Sequence, residues 1–542
     1  MLLSYYAEQP DKAREEKMKT LYVICFSLLI SVSLLAQDNR MLERRIPLDE
    51  NTWLSRQSSG NEINRYSDLV SNPDYTSFPD TVKAPSKDTV KYNMYGGLLN
   101  DDPVYNKRDP VWKPVLKITL ENALLNLVDH YVMHFDWAVV GFSTWDRTAL
   151  RSGFPWSNRW IWDNDRFGND FLLHPYTGAG YFNSARASGY NYWESSAFTF
   201  FGAYEWKLFG ENDGPARNSL FATTLGGMVF GEVLYRLGSD VIDDRATGVE
   251  RVGREVAGFF ISPGRSFTRL LDGKMFDHLT QDVYQTEPLN ITLAAGYHRV
   301  NAGTKIENPL TNSFNIDMIV DYGNPFEKIS RKPFDYFRLR ADLDFGVGRK
   351  YVDNITANGI LYGSNVQYGN VEMLAGVFQN ANYFDNNTFE LGTFGFGPGI
   401  VSKLPMSKSS SLYTSLYAAI VPFGALSKRF GPVDTTQVRD FDYVGGAELK
   451  LESNYNIGGW VNITFIGYYW WLHTYAGGAG NAYVGLIRPR IAFKVFNNLS
   501  IGIEHQVYYS DRYPRDFVSV HSVRTEENIF LQLSLEEFKL KQ

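Results

Sequence analysis

The chain is nearly without cysteine: the one thiol among 542 residues is Cys25, inside an N-terminal apolar run. Nothing like a small-residue lipoprotein box surrounds it, so the exported protein has neither disulfides nor thiolate metal sites. An excess of basic charge is also missing. The 53 Lys and Arg stand against 60 Asp and Glu, a net charge of -7, which argues against a nucleic-acid partner. The sequence has no GxSxG elbow to present a nucleophilic serine. The apolar run from Leu21 to Leu35 falls short of the roughly 20 residues that a membrane-spanning helix needs.

That short run has another reading. Met18-Lys19-Thr20 precedes it and Ala36-Gln37 closes it, the pattern of a secretory signal peptide with a small residue at the cleavage point. The polar residues ahead of Met18 suggest that translation starts there. Residues 1–36 are therefore expected to be an extension plus leader, with no part in the fold.

Aromatic residues are abundant. They make up 15% of the chain, with 34 Tyr, 37 Phe and 12 Trp beside 46 Gly, yet the mean hydropathy is only -0.27. Outer-membrane barrels combine aromatic girdles at both lipid boundaries with a polar lumen. Three regions follow. Residues 37–110 are rich in Asn, Asp, Ser and Pro without periodicity and read as an extended periplasmic lead-in. Residues 111–275 read as helical: Leu116, Leu120, Leu124, Leu127 and Val128 recur at three- and four-residue steps, and Ser219 to Leu237 repeats the habit after the breaker Gly214-Pro215.

From about 286 to 542 the period changes to two. Phe337, Leu339, Ala341, Leu343 and Phe345 alternate with Arg338, Arg340, Asp342 and Asp344; Leu449 and Leu451 alternate with Glu448, Lys450 and Glu452; and Ile487 and Ile491 alternate with Arg488 and Arg490. About twelve such segments begin near Leu289, Ser313, Phe334, Gly359, Val371, Phe389, Ser411, Phe441, Trp460, Ala482, Leu499 and Glu527, an even number with the lengths a tilted membrane strand requires. Short turns at Gly369-Asn370 and Asn497-Asn498 alternate with longer links such as 427–439. This parity puts both barrel ends in the periplasm and Tyr468-Tyr469-Trp470-Trp471 near the outer boundary. The expected fold is α+β, an N-terminal helical domain followed by an antiparallel transmembrane β-barrel of about 12 strands in the outer membrane of a Gram-negative cell. A soluble β-sandwich is the competing reading. The final Phe538-Lys539-Leu540-Lys541-Gln542 lacks the terminal aromatic that many such barrels carry.

The helical region carries the most distinctive wording. His174-Pro175-Tyr176, Gly180-Tyr181-Phe182-Asn183-Ser184-Ala185-Arg186 and Gly189-Tyr190 lead into Trp193-Glu194-Ser195-Ser196 and Tyr204-Glu205-Trp206. Gly226-Gly227-Met228, Gly231-Glu232, Tyr235-Arg236, Arg254-Glu255 and Ser262-Pro263-Gly264-Arg265 follow. Over about residues 165–275 this order resembles DUF3943, a family of Gram-negative envelope proteins defined as a domain of unknown function. The resemblance implies an envelope protein and brings no reaction with it.

Any chemistry must therefore be read from the residues. Glu194, Glu205, Glu211, Glu232 and Glu255 sit among apolar stretches beside Arg186, Arg236, Arg254 and Arg265, and acids in such surroundings need partners. Mutual pairing is one solution, with the helices docked on the inner barrel face that carries Arg338, Arg340, Asp342, Asp344, Glu448, Lys450, Arg488 and Arg490. An acid-base cluster of His174 with Glu205 or Glu211, among Glu232, Arg186 and Arg236, is the other. His130 and His134 stand four apart near Asp129 and Asp136, a weak metal signal that an ordinary packed helix explains as well. In the barrel only His298 has inward parity, while His473 and His505 fall on the apolar face. Neither a cofactor nor a metal is expected. The expected partners are outer-membrane lipid and, during biogenesis, the barrel-assembly machinery. Two functions remain open: a barrel with a helical plug or periplasmic platform that passes solute or lipid or anchors an envelope assembly, and an enzyme acting on lipid or lipopolysaccharide.

Overall fold

The computed structural model describes residues 108–134, 160–163, 165–211, 215–279, 287–301, 311–327, 332–346, 351–385, 390–428, 441–515 and 518–538. The leader, the lead-in as far as residue 107, Asp136 and residues 539–542 lie outside them. Among the described residues six α-helices precede twelve strands. The helices are α1 (Trp112–Tyr131), α2 (His174–Ala187), α3 (Tyr192–Phe209), α4 (Arg217–Val241), α5 (Gly248–Ile261) and α6 (Pro263–Leu271), with a π-helical turn at Asn169–Leu173 leading into α2. The strands are β1 (Leu289–Asn301), β2 (Thr311–Tyr322), β3 (Phe337–Gly346), β4 (Val352–Tyr368), β5 (Val371–Asp385) and β6 (Glu390–Ser407), then β7 (Ser410–Ser427), β8 (Phe441–Ile457), β9 (Val461–Ala476), β10 (Gly480–Phe496), β11 (Leu499–Pro514) and β12 (Val520–Phe538).

Each strand pairs antiparallel with the next, and β12 pairs back onto β1, so the barrel closes and no sheet edge is left unpaired. Alternation sets the two faces. Asp317, Asp342 and Asn354 share one face across β2, β3 and β4, while Met318, Ala341 and Ile355 share the other. Contacts between distant strands identify the first face as the lumen. Arg338 on β3 reaches Glu452 on β8 at 2.7 Å, and Arg488 on β10 reaches Asp342 on β3 at 2.8 Å. The other face is the outer wall, and over β8 to β12 and β1 it exposes Leu449, Tyr469, Trp471, Ile487, Ile503, Leu531 and Tyr297. Of the aromatic run in β9, only Tyr469 and Trp471 face outward. Tyr468 and Trp470 are buried in the lumen, where they donate to Glu452 and Glu448.

The ends of the barrel differ. One end carries both barrel termini, the tight turns at 369–370, 408–409, 458–460 and 497–498, and a longer segment, 323–336. The opposite end carries the connections at 302–310, 347–351, 386–389, 428–440, 477–479 and 515–519.

The helical domain lies against the outer wall. Phe167, Phe171, Phe182, Tyr192, Ala222, Val229 and Val233 share one core with Met318, Val320, Leu339, Ala341, Ala357, Ala381, Phe394 and Phe423, all on the face opposite the lumen charges. Phe171 stacks on Phe394 and Phe423 with centroids 5.6 Å apart, and Phe167 stacks on Tyr383 at 5.6 Å. Gly392 permits this approach, since a Cβ there would come within 2.2 Å of the Phe171 ring. The expected docking of helices against the inner face carrying Arg338, Arg340 and Arg488 does not occur. The lumen charges are used on one another, and the wall over β2 to β8 offers the apolar surface that the helices bury.

Two short-side-chain contacts set the helix spacing. A Cβ at Gly178 in α2 would stand 2.0 Å from the Thr223 carbonyl oxygen of α4, and one at Gly264 in α6 would stand 2.0 Å from the Gly180 carbonyl oxygen. A capping box starts α3, with the Asn191 side chain accepting from the Glu194 amide while the Glu194 carboxylate accepts from the Asn191 amide.

Candidate functional site

The lumen is filled by ion pairs. All eight charges singled out in the sequence sit on its wall, and each meets a named partner. Arg338 bridges Asp321 at 2.6 Å and Glu452 at 2.7 Å. Arg488 contacts Glu504 at 2.7 Å, Asp342 at 2.8 Å and Asp317 at 3.2 Å; Arg490 contacts Asp317 at 2.7 Å, and Arg340 lies 3.9 Å from Asp317. Glu448 accepts from Asn380, Asn382 and Trp470, and Lys450 donates to Asn358 at 2.8 Å. Asp344 meets His298 Nδ1 at 3.0 Å, and Glu526 meets the other ring nitrogen at 2.9 Å. Lys450 is 0% and Arg488 2% exposed, so these side chains are packed against their neighbours in the interior. His505 is exposed on the outer face beside Glu527, 3.9 Å away.

In the helical domain the expected His174 cluster forms with different acids. Glu205 accepts from Thr119 at 2.7 Å and Asn122 at 2.9 Å, while Glu211 accepts from Trp206 and Lys207, both at 2.7 Å. Neither reaches His174. Arg186, Glu232 and Arg236 form a separate triad: Arg186 holds Glu232 through two bonds of 2.8 and 3.1 Å, and Arg236 donates to the same carboxylate at 3.0 Å. Arg236 also donates to the Pro333 carbonyl oxygen at 2.8 Å and lies 3.3 Å from Asp335, tying α4 to the 323–336 segment. These groups balance one another and hold the helices together, as buried charges must.

His174 opens α2 directly after the π-helical turn, and its Nε2 lies 3.1 Å from Asp165 and 3.8 Å from Asp170. Asn218 at the start of α4 donates to Asp163 at 2.6 Å and to Asp170 at 3.0 Å. Tyr443 on β8 donates to Asp170 at 2.6 Å, so the cluster bridges helices and barrel wall. Burial pushes the Asp170 carboxyl up to about 7, His174 counters, and Asp163 and Asp165 add to the rise. Burial acts the same way on Asp165, but the hydrogen bond and charge of His174, with Lys207 and Asn169, together outweigh it and bring that carboxyl down to about 2. One ligand atom each from Asp165, Asp170 and His174 lies within 4.8 Å of the other two, an oxygen-rich set with one imidazole that suits a divalent cation. Asp170 and His174 stand four apart, a spacing that the pairing of His174 with Glu205 or Glu211 passed over. Asp163 and Asp165 are brought in by the turn at 163–173, which no periodicity announces.

The paired histidines at 130 and 134 do not share a helix face. The helix α1 ends at Tyr131, and His134 lies beyond it with a left-handed φ of 55°. His130 packs edge-on against Tyr131.

The acids, the turn, α2 to α5 and the start of α6 fall within one matched segment. Residues 159–264 match the model of DUF3943, a domain of unknown function. The resemblance expected over about 165–275 is matched from 159, which takes in Asp163 and Asp165, to 264, short of the expected end. The DUF3943 domain thus holds the Asp/His cluster, the Arg186-Glu232-Arg236 triad and most of the surface packed on the barrel. Among curated proteins no sequence matches the chain. Solved barrels match somewhat less than half of it. An outer membrane channel of the COG4313 group from Pseudomonas putida F1 is 8% identical with a TM-score of 0.26, covering 46% of this chain and 96% of its own. The NanC porin is 10% identical at 0.25, covering 45% and 100%, and OmpT of Vibrio cholerae is 8% identical at 0.23, covering 46% and 96%. Likenesses this distant add nothing to the strand pairing, which establishes the barrel by itself.

Proposed function

We propose that this protein is an outer-membrane anchor, a sealed barrel that carries its DUF3943 domain on the outer wall and conducts no solute. The observation that carries the reading is the set of ion pairs crossing the lumen. Arg338 to Glu452 and Arg488 to Asp342 join strands on opposite sides, and opening a path between them would leave buried charges unpaired. The apolar belt of the outer wall and the closed strand order support a membrane location, and the signal-peptide pattern supports export. The purified protein in planar bilayers is expected to show no steady conductance. Stable porin-like channels at low voltage would overturn the anchor reading. Recovery from the outer-membrane fraction, with heat-modifiable migration in unboiled gel samples, tests the location.

A second reading, an enzyme acting on lipid or lipopolysaccharide, is favoured by the Asp165-Asp170-His174 cluster. In this reading His174 moves the proton and Asp165 orients its ring. Lipid mass spectrometry of a deletion strain complemented by wild type or by His174→Ala tests it. Identical lipid profiles in all strains would remove it.

A further inference from the structure

The helices are amphipathic in the reverse of the sense that water selects. Apart from Lys113 in the first turn, the exposed side chains of α1 are apolar, with Trp112, Leu116, Leu120, Leu124, Leu127 and Tyr131 foremost, while Lys117, Asn122 and Asn126 are buried beneath them. Lys117 turns inward to Asp109 and Asp272, and Asn122 to Glu205 and the Gly202 carbonyl oxygen. The pattern repeats in α5 beyond its first turn, which exposes Glu250 beside Val249: Val252, Val256 and Phe259 are exposed and Glu255 is buried against Arg269. In α6, Leu270 and Leu271 are exposed while Arg265 and Arg269 are among the most buried side chains of the domain. A domain folded in water hides the first set and solvates the second. A domain folded in lipid does the opposite.

Position on the barrel leads the same way. Near its first turn α4 is tied through Asn218 and Asp170 to Tyr443, at the loop-bearing end of the wall. Near its last turns Arg236 reaches Asp335 in the 323–336 segment, at the end that carries the barrel termini. The 25 residues of α4 are about 37 Å long at helical rise, enough to follow the wall through a hydrocarbon layer of about 30 Å. The helical domain therefore stands beside the barrel at the height of its apolar belt, and its outer surface continues that belt. Glycines at the α2 to α4 and α2 to α6 crossings give the close backbone approach by which helices pack in lipid.

We propose that the helical domain is embedded in the bilayer beside the barrel, with the exposed faces of α1, α5 and α6 in contact with lipid acyl chains. The membrane-embedded body is then the barrel and the helices together. This rests on the barrel lying in a membrane, and the test separates the two. With Cys25→Ala as background, single variants Leu120→Cys, Leu124→Cys and Val252→Cys carry a nitroxide. Leu531→Cys on the bare barrel wall and Ser409→Cys in a tight turn serve as lipid and water references. The full chain is refolded into phosphatidylcholine vesicles and checked for heat-modifiable migration. Collision of the label with oxygen and with a water-soluble nickel complex is then measured. The helix sites are expected to match Leu531→Cys, with an oxygen-to-nickel ratio several-fold above that of Ser409→Cys. Helix sites that match Ser409→Cys while Leu531→Cys stays in lipid overturn the proposal and leave the barrel reading standing. Helix sites shielded from both probes mean a protein cover and also overturn it. A Leu531→Cys label in water removes both readings at once.

Discussion

The barrel and the helical domain share one plan, charges inside and apolar side chains outside, but they announce it differently in sequence. In β3 the alternation of Phe337, Leu339 and Ala341 with Arg338, Arg340 and Asp342 marks two faces that a closed sheet sends to opposite sides. In α1 the spacing of Leu116, Leu120, Leu124 and Leu127 marks an apolar face without naming the medium it meets. Curvature of a closed sheet gives a strand its inside; a helix acquires one only from its neighbours. The buried Asn122 and Asn126 were the available signal, because both lie across the helix from the leucines.

If the two regions are alike, matched damage should produce matched losses. The largest effect is expected in the lumen. Arg488→Leu takes the buried Asp342 from its guanidinium and leaves Asp317 and Glu504 to share Arg490, and it should cost about 3–5 kcal/mol, read by urea unfolding in vesicles; a loss near zero would mean that the lumen admits water. Glu232→Ala is the counterpart in the helices. It strands Arg186 but leaves Arg236 near Asp335, so the loss should sit at the low end of that range, about 3 kcal/mol. A wild-type unfolding midpoint for this variant would show that the triad is solvated.

Arginine on the outer surfaces compares the regions more directly. Leu531→Arg on the wall and Leu124→Arg on α1 should each cost about 2–4 kcal/mol if both face mid-bilayer. A cost at Leu531 with none at Leu124 would break the likeness. The smallest change concerns the seam between the regions. Tyr192 donates to Gln379 on the barrel wall, and Tyr192→Phe should cost about 1 kcal/mol with the barrel's own gel shift intact. Loss of that shift would mean that the barrel cannot hold without the helices.

Much of the fold was legible, and the misses have physical causes. Most strands begin within a few residues of where the alternation starts. The strand β4 begins at Val352 instead of near Gly359 because the pairing with β3 shifts between Asp342 and Leu343, which breaks the two-residue period at Asp353. The strand β12 begins at Val520 instead of near Glu527 because His521, Ser522, Arg524 and Thr525 crowd its first turns with polar residues. The Asp/His cluster was half visible. His174 stood out, but its partners come from a turn and from the start of α4, and contacts made by tertiary packing leave no spacing to read.

The inward polar faces bear on delivery as well as on packing. Among the described residues no helix is long and apolar enough to cross a membrane, because Lys117, Asn122, Glu232 and Arg236 dilute each stretch. A helix that hid its polar groups less well would carry a higher apolar content and would be held by the inner membrane during secretion. On the secretion route proposed above, the helices would pass as an unfolded chain because of their inward polar residues. They acquire a lipid-compatible surface only when their charges find one another, so the same ion pairs that stabilise the finished domain also set where in the envelope it can come to rest.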